Sequence, residues 1–165
     1  MLRLLYSALL YVVAPLAFVA TALRGLREPS YRERLPERLG FTQLRFAAPP
    51  LWIHAVSVGE VQAAAALVRA LAQRYPQQPI LLTTATPTGA QRVRALFGDS
   101  VRHAYLPYDL PGAVRRFLAS VTPQLAIIME REIWPNLLRE CRRRNIRTAL
   151  VNDLKAGRFK YGASS

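Results

Sequence analysis

From Leu51 onward the apolar positions gather into short, bounded runs with longer helix-forming stretches between them. The runs read LWIHAV (51–56), ILLTTA (80–85), VRHAYLP (101–107), LAIIM (125–129) and TALVN (148–152). They are too short for helices and mostly lack an alternating polar face, which fits strands buried on both sides. The intervening stretches Val61–Arg74, Gly89–Phe97, Gly112–Ala119 and Pro135–Arg144 carry helical spacing. Alternation of this kind predicts βαβ units with right-handed crossovers, hence a Rossmann-like parallel sheet of the α/β class over residues 51–152. Ligands of such sheets bind beyond the C-terminal ends of the strands, so the chemistry is sought just after each run.

Ahead of this body the pattern changes. Leu4–Leu23, LLYSALLYVVAPLAFVATAL, has no charged residue and is as long as a bilayer-spanning helix, with a kink expected at Pro15. It is apolar all round, which argues against a helix lying flat on a membrane surface. Ala20-Thr21-Ala22 resembles a signal-peptide cleavage site, but the run is longer than a signal core. Arg24, Arg27, Arg32 and Arg34 follow at once, and clustered positives hold that flank in the cytoplasm. Residues 1–24 therefore read as a retained membrane anchor with the body on the cytoplasmic face. Residues 25–50 read as a basic juxtamembrane helical hairpin or collar, either touching anionic lipid head groups or standing free as a solvated linker helix. Pro49-Pro50 closes the segment.

Charge changes the picture further. The 165 residues hold 23 Lys+Arg against 10 Asp+Glu, a net charge of +13. Lys155 and Lys160 are the only lysines, so the cation is nearly all Arg, whose planar fork pairs with phosphates. An anionic partner follows: nucleic acid, phospholipid or a phosphorylated substrate. With 52% apolar residues the chain is not of disordered composition. Cys141 stands alone, which excludes a disulfide framework, and His54 and His103 lack metal-ligand spacing, so no metal site is expected.

The strand ends supply the candidate chemistry. After the first run comes SVGE: Gly59 would permit a tight turn, with Ser57 beside it, and Glu60 falls in the first turn of a helix, where the dipole favours an ionised carboxylate. Acids at that position also serve simply to stabilise a helix. After the second, Thr86 caps a helix begun by Pro87, and Thr88 and Gly89 offer backbone amides to an anion, with Arg92 and Arg94 a turn on. The stretch lacks the lysine and spacing of a P-loop, so nucleotide hydrolysis is not expected. After the third, Asp109 is placed to cap the following helix, and Tyr108 lies over the core or walls a pocket. After the fourth, Glu130 and Glu132 stand close to Trp134 and Asn136, a sugar-binding constellation or the start of a helix at Pro135. Arg139–Arg144 complements a helix C-terminus, and nothing beside it reads bases, so nucleic acid is not the expected partner.

Taken together, the apolar helix and YRERLPERLGF, HAVSVGE, TTATPTGAQRV, HAYLPYDLP and IMEREIWPN, in this order, resemble the N-terminal half of the 3-deoxy-D-manno-octulosonic acid (Kdo) transferases. The resemblance covers about Met1–Asn152. It implies the first of two facing Rossmann-like domains (the GT-B arrangement), with lipid A precursor (lipid IVA) as acceptor and CMP-Kdo as donor in lipopolysaccharide core biosynthesis. It implies an inverting reaction without metal or cofactor, and Glu60 as the base that takes the acceptor hydroxyl's proton. Ser57, Gly59, Thr88, Gly89, Glu130, Glu132 and Asn136 are then expected near the acceptor, with Arg131 standing where such proteins often carry Thr. Residues 153–165 read as a divergent tail in place of a donor domain. On that reading the chain alone transfers no Kdo, and a membrane-tethered module binding anionic glycolipid is the alternative.

Overall fold

The computed structural model describes residues 2–129 and 134–151. The five apolar runs become five strands: β1 (Leu51–His54), β2 (Ile80–Thr84), β3 (Arg102–Tyr105), β4 (Leu125–Met129) and β5 (Arg147–Val151). They form one sheet in the order β3-β2-β1-β4-β5, and every neighbouring pair is parallel. The expected α/β Rossmann-like class is what the chain adopts. In register, His54 stands between Thr83 of β2 and Ile128 of β4. The chain runs outward from β1 to β3, then returns to start β4 on the other side of β1. Strand order therefore reverses between β1 and β4, the place where sheets of this kind open a crevice.

Successive residues of a strand face opposite sides, so β1 feeds two cores. Trp52 packs with Leu81, Phe117, Leu118, Ile128 and Leu137 on one face. Ile53 packs with Val61, Val68, Leu82, Val93 and Ile127 on the other. Trp52 meets Phe117 edge to face at 5.2 Å and donates its indole N–H to Thr83 Oγ1 at 2.9 Å. Burying each such side chain is worth about 1.5–3 kcal/mol, the main reason this pairing of faces is fixed.

The helices are α1 (Leu2–Arg27), α2 (Val58–Arg74), α3 (Pro87–Phe97), α4 (Pro111–Val121) and α5 (Pro135–Arg143). α2, α3 and α4 begin before their periodic stretches. Proline occupies the first turn of α3, α4 and α5, where its missing N–H costs nothing. In α5 the arginine run does more than complement a dipole: Arg143 and Arg144 bridge the buried Glu140 at 2.8 and 2.9 Å.

Residues 25–50 depart from expectation. α1 continues to Arg27, and 3-10 turns at Pro29–Tyr31 and Leu35–Leu39 replace a helical hairpin. Pro29 and Pro36 each open a new turn, while Arg34 (φ 56°) and Gly40 (φ 85°) adopt the left-handed backbone that breaks a helix. A Cβ on Gly40 would stand 2.1 Å from the carbonyl oxygen of Ala113, so glycine lets this strap touch α4. Two of its arginines turn inward. Arg34 pairs with Glu37 at 2.7 Å and donates to the carbonyl of His103 at 2.9 Å. Glu37 accepts the Tyr105 amide at 2.8 Å. Arg38 is buried, donates to the Ala85 carbonyl at 2.7 Å and lies 4.6 Å from the Tyr105 ring centroid. These cations hold the strap to the ends of β2 and β3.

Candidate functional site

The site grows from the end of β1. Ala55 N–H bonds the Thr83 carbonyl at 2.9 Å, and the Ala85 N–H bonds the Val56 carbonyl at 3.0 Å, so the ladder with β2 runs on past both strands. Val56 is thereby fixed before α2 begins. Ser57 is extended (φ −125°, ψ 171°), and Glu60 follows in the helix's first turn. The Glu60 carboxylate accepts the Val56 amide at 2.6 Å and the Ser57 hydroxyl at 3.3 Å. Ser57 makes no cap bond with its own helix; its hydroxyl goes to the carboxylate. Glu60 is half-buried and oriented by the loop that precedes it.

Gly59 does not make a tight turn. It lies inside α2, and a Cβ there would meet only the Ser57 hydroxyl, at 3.9 Å. Glu60 points where it does because α2 starts early, at Val58.

Beyond β2, Thr86 caps α3 as expected by accepting the Gly89 amide at 3.1 Å. That bond takes up an amide assigned to an anion, and Pro87 has none to give. Gly89 is needed for packing, since a Cβ would approach Thr84 and Thr86 to 3.1 Å. Thr88 is exposed and within 3.3 Å of the Thr86 hydroxyl. Arg92 donates to the Gln62 side chain.

Asp109 and Asn136 require correction. Asp109 is 2% exposed and caps α5, not α4: its carboxylate accepts the amides of Asn136 at 3.0 Å and Leu137 at 2.8 Å. Burial raises its pKa above the ordinary value, while the two amides and the Tyr6 hydroxyl pull it back. Asn136, expected at the acceptor, is buried. Its side-chain nitrogen donates to the Asp109 carbonyl at 2.6 Å and its oxygen accepts from Ser7 at 3.2 Å. Each polar atom of that side chain already has a partner in the fold. Glu130 and Glu132 lie outside the described residues.

Between β1 and Trp134 the crevice floor is aromatic. The rings of His54 and Trp134 meet edge to face at 6.3 Å. Full burial holds His54 neutral, its pKa lowered to about 4, and its Nδ1 lies 2.9 Å from Thr83 Oγ1. A groove of about 770 Å³ lies elsewhere, between the strap, α3 and β3, and Glu60 does not line it. Its Arg34, Arg94 and Arg102 are balanced by Glu33, Glu37 and Asp99, so its charge selects no ligand.

Sequence reasoning missed the inward role of Arg38 and the contacts of α1. A signal for the second was present. Ser7, Ala14 and Thr21 recur at seven-residue spacing, which puts small and hydroxyl side chains on one stripe of an apolar helix.

A doubly wound parallel sheet with a half-buried carboxylate just past the end of its central strand, beside the switch point, defines an α/β ligand-binding domain. Comparison with known proteins narrows this. Residues 33–159 match the family model described as 3-deoxy-D-manno-octulosonic-acid transferase (kdotransferase), and the chain belongs to that family. The match passes Asn152, so the likeness extends into the stretch read as divergent. The chain is 47% identical over 166 residues to a 3-deoxy-D-manno-octulosonic acid transferase of Haemophilus influenzae, covering 98% of this chain and 39% of that protein. It is 42% identical over 159 residues to one of Bordetella pertussis, covering 91% and 37%. A probable mitochondrial one of Arabidopsis thaliana is 38% identical over 135 residues, covering 81% and 30%. The chain thus spans two fifths or less of the length of these relatives.

Proposed function

We propose that this chain forms the acceptor-binding half of a Kdo transferase of lipopolysaccharide biosynthesis, with Glu60 as its catalytic base. The observation that carries the reading is the placement of Glu60 at the mouth of β1, oriented by Val56 and Ser57, within a chain of this family. The acceptor is the lipid A precursor, lipid IVA, and the donor CMP-Kdo. Glu60 takes the proton from the acceptor sugar hydroxyl as that oxygen bonds to the anomeric carbon of Kdo. The bond from that carbon to the CMP phosphate breaks with inversion, and CMP leaves with the electron pair. Proton abstraction by a positioned carboxylate needs no metal. CMP-Kdo binds on a second domain facing this one, and the protein works at the cytoplasmic face of the bacterial inner membrane, whose anionic lipids meet its surplus arginines.

The test replaces the matching region of the Haemophilus influenzae relative with this chain and follows CMP release from CMP-Kdo with lipid IVA. Glu60→Gln is expected to slow release by about 10²–10⁴-fold, the usual contribution of a general base. Release at the unsubstituted rate would sink the assignment. A chelator should leave the rate unchanged.

A further inference from the structure

The contacts of α1 say how the protein meets its membrane. The helix is long and apolar enough to cross a bilayer, yet one side of it is occupied along much of its length. Tyr6 donates its hydroxyl to Asp109 at 3.1 Å. Ser7 donates to Asn136 at 3.2 Å. Toward the other end, the hydroxyls of Thr21 and Tyr108 meet at 3.3 Å. Tyr6 and Thr21 stand roughly 22 Å apart along the helix, but both reach the adjacent residues Tyr108 and Asp109. The β3–α4 loop therefore lies against the middle of α1. Ser7 and Ala14, on the same stripe, are buried.

The opposite side is bare. Leu5, Leu9, Val12, Leu16, Val19 and Leu23 fall on one stripe diametrically across from Ser7, Ala14 and Thr21, and each is more than half exposed. Arg24 and Arg27 end the helix, both exposed.

A helix crossing a hydrocarbon core about 30 Å thick is surrounded by that core at its middle. In the docked arrangement the β3–α4 loop lies along α1 between Ser7, beside which Asp109 holds the start of α5, and Thr21. Crossing would carry that carboxylate and its loop into hydrocarbon, where an ionisable group is strongly disfavoured. Lying in the interface requires no such step. The aliphatic stripe enters the boundary of head groups and chains to a depth of about 5–10 Å, and the arginines at its end sit among anionic head groups.

We propose that α1 is an in-plane membrane helix: its Leu5–Leu23 stripe is embedded in one leaflet of an anionic bilayer while its Ser7–Thr21 stripe stays docked on the sheet domain. Both ends of the helix then lie on the same side of the membrane as the domain. The loops at the C-terminal edge of the sheet, that of Glu60 included, are brought to the level of the head groups, where a lipid substrate's sugars stand. The inference concerns topology alone and survives or fails independently of the sugar chemistry.

The test expresses the whole protein in bacteria with Leu2→Cys at the helix start or Gln73→Cys on the exposed side of α2 as body marker. A membrane-impermeant maleimide is applied to intact spheroplasts and to inverted vesicles. Labelling of both positions in inverted vesicles, and of neither in spheroplasts, is the expected result. Labelling of Leu2→Cys in spheroplasts overturns the proposal. Nitroxides at the exposed positions Leu9, Leu16 and Leu23, read in vesicles of phosphatidylethanolamine and phosphatidylglycerol, give a second measure. One shallow depth for all three supports the in-plane helix. A profile deepest at Leu16 and shallower at both others overturns it.

Discussion

Two acids follow two strands of the same sheet, and the structure gives them opposite work. Glu60 comes after β1, and Asp109 after β3. Glu60 stands in the first turn of a helix and Asp109 just ahead of one, and both accept backbone amides. Glu60 takes an amide four residues back, in the loop that precedes its helix, and is half-buried. Asp109 takes amides 27 and 28 residues away, at the start of another helix, and is buried. The bonds of Glu60 to Val56 and Ser57 tie together one short segment. An acid that joins distant elements is part of the fold.

The comparison is broken most forcefully at Asp109. Asp109→Ala strips acceptors from the amides of Asn136 and Leu137 and from the Tyr6 hydroxyl, a loss of about 3 kcal/mol at roughly 1–3 kcal/mol per stranded group. Denaturant unfolding measures it. Asp109→Asn should lose less than Asp109→Ala, because its one amide oxygen still accepts on one side while its NH2 group cannot replace the other oxygen. Glu60→Gln should stay within about 1 kcal/mol of the parent, since an amide oxygen still accepts from Val56. An Asp109→Ala protein as stable as Glu60→Gln would erase the distinction.

Acid should act on the strand ends below both loops. His54 under the Glu60 loop and His103 under the strap are held neutral, lowered from 6.5 to about 4 and about 3. For His103 burial acts first, then the charges of Arg34, Arg94 and Arg38. On acidification the unfolded chain binds these protons before the folded one, so stability is complete above about pH 6.5 and falls toward pH 4. The slope is up to about 1.4 kcal/mol per pH unit for each histidine. Unfolding free energies at several pH values in this window give that slope; a flat profile would mean that neither ring is sealed off.

At the end of β2 the effect is smaller. Thr86→Ala removes the cap on Gly89 and should cost about 1 kcal/mol. If the amides there were reserved for an anion, adding phosphate would stabilise the parent and not the variant. With the cap already holding Gly89, phosphate is expected to do neither.

What the sequence disclosed follows from what is local. Five apolar runs of the right length, separated by helical stretches, mark the sheet; the central strands β1, β2 and β4 are buried on both faces as expected, whereas the edge strands β3 and β5 are partly exposed. The Thr86 cap and the strand-end position of Glu60 are local too. The reach of Asp109 to α5, the occupied side chain of Asn136 and the inward turn of Arg38 depend on residues 27 to 129 positions apart, and no spacing rule encodes them. The flat attachment of α1 is intermediate. Its docked stripe repeats every seven residues, but hydroxyls and alanines are too mild to register against leucine and valine.

Gly59 gives the finest test of the distinction, because it touches only the local acid. Its backbone is helical and its missing Cβ has open space, so Gly59→Ala should stabilise the protein by about 0.4–1 kcal/mol through a less flexible unfolded chain. Among the described residues a Cβ there meets only the Ser57 hydroxyl, at 3.9 Å. Thermal unfolding checks the gain, and CMP release from the chimera checks the site. A more stable protein with unchanged release leaves Glu60 reached from its other side. A more stable protein with slower release means the acceptor passes over the bare backbone of Gly59 on its way to the carboxylate, a function no contact within the fold would have revealed.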